Sequence, residues 1–113
     1  MKTLLAVLVG GLAAAPAFAA PKAESAMECG IAADMAVVAR SLAQEQVQRP
    51  QAGAIMARIY DVSESKRGRE LMRDILDAAY RDDKQSSQKF AEDLFAACMK
   101  TGGNMDTVLG SRL

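Results

Sequence analysis

The 113-residue chain has no His and no Trp, and only 4% of its residues are aromatic. Without imidazole there is no His-ligated metal site and no Ser-His-Asp or Cys-His nucleophile. A surplus of one charge is missing too, since 14 Lys plus Arg balance 14 Asp plus Glu. That balance leaves no basic footprint for nucleic acid. Cysteine is confined to Cys29 and Cys98, with no Cys-x-x-Cys spacing. No apolar run reaches the ~20 residues that span a bilayer. These absences argue against an enzyme. They leave no catalytic residue, no cofactor site and no metal site to nominate. At 12.0 kDa the chain has room for one domain.

What is present begins with an export signature. Lys2 precedes an apolar run from Leu4 to Ala15, and Ala17-Phe18-Ala19 places small residues where a signal peptidase reads them. Residues 1–19 therefore read as a cleaved signal peptide and 20–24 as a flexible N-terminus. Residues 25–113 read as a single helical domain with a short C-terminal tail from about 101. The processed chain is expected in the periplasm, or secreted, with no stable membrane insertion after cleavage. In an oxidising compartment Cys29 and Cys98 are expected to pair. They lie 69 positions apart, and closing so long a loop is worth roughly 4 kcal/mol.

The mature chain is rich in Ala, Met, Leu, Gln, Glu and Arg, and no stretch alternates with period two. The fold class is all-α, a small up-down helical bundle of about four helices stapled by that long-range disulfide. A first helix starts at the capping box Ser25-Ala26-Met27-Glu28, with Met27, Ile31, Met35, Val38 and Leu42 as its apolar stripe. Arg49-Pro50 breaks the chain, and a second helix over 51–60 carries Ile55 and Ile59 on one face beside Met56 and Tyr60. A third, over 64–81 with Ser63 or Ser65 as cap, buries Leu71, Met72, Ile75, Leu76 and Ala79. A fourth carries Phe90, Leu94 and Cys98, adjoined by Ala91 and Phe95, and ends at Gly102-Gly103. Met105, Val108 and Leu109 are expected in one further turn over the end of the bundle. In this topology the first turn of helix one meets the last turn of helix four, where the two Cys lie.

Three clusters invite a chemical reading, and each has a plainer one. Asp74, Asp77 and Asp82-Asp83 lack the Gly-turn ligand spacing of a calcium loop and are interleaved with Arg. They read as a solvated face with Arg73–Asp77 and Asp77–Arg81 pairs. The mature chain's six Met include no Met-x-Met or Met-x-x-Met pair, so core filling is expected rather than copper binding. Ser65-Lys66 reads as helix capping rather than a nucleophile pair. The cationic run Lys66, Arg67 and Arg69, with Tyr60 and Tyr80 as aromatic anchors, is the candidate surface for contacting a partner.

In general build the chain resembles acid-stress periplasmic chaperones and the periplasmic immunity proteins that neutralise secreted toxins, with no motif tying it to either. The expected function is that of an exported, non-enzymatic protein acting by binding another protein, of unknown identity, in the cell envelope. Alternatives are a stress chaperone activated by acid and a small-molecule carrier with a pocket between helices.

Overall fold

The computed structural model describes residues 23–62, 64–81 and 84–110. The signal peptide, Ser63, Asp82-Asp83 and Ser111 lie outside the described residues. Those described form five helices and no strand: α1 (Ala26–Gln44), α2 (Arg49–Tyr60), α3 (Lys66–Arg81), α4 (Ser87–Lys100) and α5 (Asp106–Leu109). No helix among them is long and apolar enough to cross a membrane.

Local chemistry sets the boundaries. Ser25 Oγ accepts the Glu28 N–H at 3.2 Å, which is the first half of the capping box, while Glu28 accepts the N–H of Glu24, one residue before the cap, at 2.8 Å rather than that of Ser25. Arg49-Pro50 opens α2, where the missing proline N–H needs no partner. Asp61, in the left-handed region at φ 44°, ends it. Ser65 caps α3 by accepting the Gly68 N–H, and Ser86 caps α4 by accepting the Lys89 N–H.

α1 is the central helix. Its longest shared contact is with α4, then α3, then α2, while α5 sits against α3 and α4. The residues facing inward on α1 explain this order. They are Cys29, Ala32, Met35, Ala36, Ala39 and Arg40, and Ala at the contact lets a neighbouring helix come near. The stripe expected through Met27, Ile31, Val38 and Leu42 is corrected accordingly. Met27 and Ile31 are 72% and 43% exposed, Val38 and Leu42 are half-buried, and only Met35 lies fully inside. A similar correction applies to α2, where Ala52 and Met56 are buried and Ile55 and Ile59 face outward. α3 buries the expected Leu71, Ile75, Leu76 and Ala79, with Ala78 added and Met72 half-buried. On α4, Phe90, Ala91, Leu94 and Cys98 are buried, but Phe95 is not. Met105 and Leu109 close the end of the bundle as the sequence suggests.

Three ties hold the bundle together. The Cys29–Cys98 disulfide joins the first turn of α1 to the last of α4, with Cα atoms 5.7 Å apart. Beside it, the Ala23 N–H donates to Gly103 O at 3.0 Å. Gly103 is at φ +99°, and a Cβ there would stand 2.0 Å from Ala23 O, so only glycine permits this contact. Towards the opposite end of α1 the tie is Arg40, 1% exposed, which donates from Nη1 to Ala79 O at 2.9 Å and from Nε to Gln85 O at 2.7 Å. Those carbonyls belong to the last turn of α3 and the loop after it, where helical partners run out. The acidic face is also rearranged. Asp77 pairs across helices with Arg49 of α2 at 2.6 Å, and Arg81 donates to Leu109 O, in place of the two pairs expected along α3.

Candidate functional site

α2, α3 and α4 surround α1 on three sides, and the helical period shows which arc they leave bare. At about 100° per residue, the six buried α1 positions span about 140° of the wheel. Beyond the α4 contact follows a second stripe: Ala26, Gly30, Ala33, Val37, Ser41 and Gln44. None is charged, in a chain where 25% of residues are. Ala33 and Ser41 are half-buried and the rest are exposed, and a Cβ built on Gly30 meets nothing within 4 Å. α4 continues the surface with Phe95 and Met99, one turn apart and 41% and 49% exposed.

The disulfide sets the register of this face. α4 runs antiparallel to α1 from the Cys29–Cys98 bond, which brings the Phe95–Met99 edge alongside the Ala26–Val37 edge. At the bonded end Met99 and Ala26 both line a depression of about 300 Å³, floored by Cys29 and Cys98 and closed by Gly102 and Gly103. The result is an uncharged strip of mostly small side chains on α1 with Phe95 and Met99 along its α4 edge. Most of its surface is apolar, with Ser41 and Gln44 as the polar positions towards the C-terminal end of α1.

The surface suggested by the sequence lies elsewhere. Arg67 stands over a cleft of about 150 Å³ between α1 and the start of α3, lined by Ile31, Met35, Val62 and Leu71. Its guanidinium grips Glu28 with two bonds of 2.8 and 2.9 Å and lies 3.4 Å from Glu24. This grip, aided by the Glu24 N–H, holds the Glu28 carboxyl down at about 2 and raises Arg67. Arg67 thus ties α3 to α1. Lys66 and Arg69 are exposed on the first turn of α3. Tyr60 donates its hydroxyl to Asp34, and burial together with that carboxylate raises its pKa. Tyr80 donates to Val47 O and is raised chiefly by burial. The structure brings Tyr60 beside α1 and Arg67 over the cleft, but places Tyr80 against the α1–α2 connection.

Of the methionines, Met35, Met56 and Met105 fill the core, while Met27 and Met99 are open to solvent. Ser65 is occupied by its capping bond. The residues that the sequence reading missed are Val37, Phe95 and the small stripe. A signal was present: uncharged positions recurring at steps of four, three, four, four and three from Ala26 to Gln44. Comparison with protein-family models, curated proteins and solved structures finds no match to this chain.

Proposed function

We propose that this chain is an exported, non-enzymatic binding protein that docks another protein of the cell envelope along the α1–α4 face. One observation carries the reading. The arc of the central helix next to α4 is an uncharged stripe of mostly small residues that no described element covers, extended by exposed Phe95 and Met99. A large aromatic and a flexible thioether beside small residues are suited to a protein interface, the first as an anchor and the second as an adaptable contact. The Cys29–Cys98 bond supports an oxidising compartment, and the N-terminal Lys2, apolar run and Ala-x-Ala sequence support export to it.

Replacing Phe95, Val37 or the exposed α3 residue Arg73 with a photoreactive amino acid in the producing cells tests this directly. The expected result is a discrete protein adduct from positions 95 and 37, none from 73, and a processed chain in the envelope fraction beginning at Ala20. Equal adducts from all three positions, or a cytoplasmic chain retaining residues 1–19, would overturn it.

A further inference from the structure

We infer that the occupant of the α1–α4 face is an amphipathic helix of a different protein, with large apolar side chains on one stripe and Lys or Arg on both flanks. This rests on the docking role proposed above and adds the chemistry of the partner. Shape gives the first reason. The α1 stripe runs from Ala26 to Gln44, about 27 Å at 1.5 Å per residue, which is the length of a helix of ~18 residues. Small residues at Ala26, Gly30 and Ala33 let a fourth helix approach α1 much as α4 does on the next side. No strand exists among the described residues to pair with an extended peptide, so a segment that satisfies its own backbone is the form that fits.

Charge gives the second reason, and it selects among occupants. Asp34 borders the stripe on its α1 side and Glu92 borders Phe95 on the α4 side, both exposed. Each accepts a hydrogen bond from a neutral donor, Asp34 from Tyr60 and Glu92 from Gln88. The α1 rim therefore keeps negative charge for a partner to answer, while on the α4 rim Lys89, bonded to Asp93 at 2.8 Å, offsets Glu92 in part and leaves two carboxylates to one ammonium. A second copy of this chain would set acidic rim against acidic rim, a repulsive arrangement in a twofold contact. A helix with basic flanks meets both carboxylates while its apolar stripe covers the small residues of α1.

The absence of Trp makes the test clean, because a single Trp in a peptide reports its own binding. Two synthetic helices of ~18 residues share one Leu and Trp stripe and differ only in flanks, Lys in one and Glu in the other. The Lys peptide is expected to bind the folded protein at least about tenfold more tightly, with the gap shrinking in ~1 M salt. Gly30→Leu, which fills open space, and Phe95→Ser should each weaken binding about tenfold with an unchanged circular dichroism spectrum. Asp34→Asn with Glu92→Gln should erase the preference between peptides. Equal affinity for both peptides, still lost in Gly30→Leu, overturns the basic-flanked partner while leaving the docking face intact. Failure of both peptides to bind overturns the docking face as well. A concentration-dependent dimer abolished by Gly30→Leu overturns the inference in favour of a second copy.

Discussion

Two arcs of α1 use the same small residues to opposite ends. On the covered arc Ala32, Ala36 and Ala39 are fully buried, and α4 and α3 close down on them. On the bare arc Ala26 and Gly30 are exposed and Ala33 is half-buried, with none of the described elements laid across. A small residue on a helix is permission for close approach, and only the rest of the chain decides whether the permission is used. Here it is used on one side and left open on the other. The covered arc is also the one with added fastenings, a disulfide near one end and a buried Arg near the other. Ala contacts bury little area each, so they hold helices close without holding them firmly.

Breaking the fastening of the covered arc should have the largest effect. The Cys29–Cys98 bond closes a loop of 69 residues, and losing it raises the entropy of the unfolded chain at a cost of roughly 4 kcal/mol. For Cys29→Ser with Cys98→Ser, the melting temperature should fall by about 15–30 °C in a domain of this size. Wild-type protein in strong reductant should fall by the same amount. A change of under about 5 °C would mean that Ala packing alone holds α1 to α4, and the contrast between the arcs would lose its energetic basis.

Loss of the Arg40 fastening should come second. Its side chain is buried, and it satisfies carbonyls at Ala79 and Gln85 that α3 can no longer reach. Arg40→Met keeps the apolar stem but strands those acceptors, a loss of about 2–3 kcal/mol. Urea unfolding should show a lower midpoint at constant slope. An unchanged midpoint would show that water replaces the guanidinium without cost, and the covered arc would then have one fastening rather than two.

Much of this architecture is readable in the sequence, and the failures share a cause. Caps are local, so Ser25 announces the start of α1 and Ser65 is one of two serines that could start α3, whereas Ser86, which caps α4, stands in a polar turn where several residues could serve. The Cys pair and the Leu71–Ile75 stripe on α3 are similarly self-evident. The α1 stripe misleads because hydrophobicity gives weight to Met27 and Ile31, whereas a helix enclosed by three others buries Ala, which is nearly silent on such a scale. Ile55 and Ile59 on α2 mislead for the same reason beside Ala52. Arg40 is unreadable because its value lies in carbonyls 39 and 45 residues away. Asp77 has Arg in both helical registers, and nothing local says that Arg49 would win. As for the docking face, a run of small uncharged positions resembles filler until the covering helices are known.

The contact between α1 and the start of α3 titrates, and its sign is fixed. Arg67 lowers the Glu28 carboxyl from 4.5 to about 2 in the folded protein. The pair therefore contributes fully above about pH 4.5, loses its contribution as pH falls towards about 2, and gives nothing below. With both side chains about a third exposed, solvent screening limits the effect to about 1 kcal/mol. Glu28→Gln should lower stability by that amount at pH 7 and flatten the slope of stability against pH between about 5 and 2. An unchanged slope would show that Glu28 is not held by Arg67 in solution.

The smallest effect separates the two arcs most sharply. On the covered arc nothing can be added, since Ala32, Ala36 and Ala39 have no exposed surface. On the bare arc Gly30 sits within α1 with open space where a Cβ would go. Gly30→Ala should therefore stabilise the isolated protein by about 0.5–1 kcal/mol, because it removes backbone freedom from the unfolded chain and adds no clash. A rise of a few degrees in melting temperature would be the readout, on the scale of about 4–8 °C per kcal/mol. Destabilisation would mean that something lies across Gly30 in solution, and the bare arc would then already be an interface before any partner arrives.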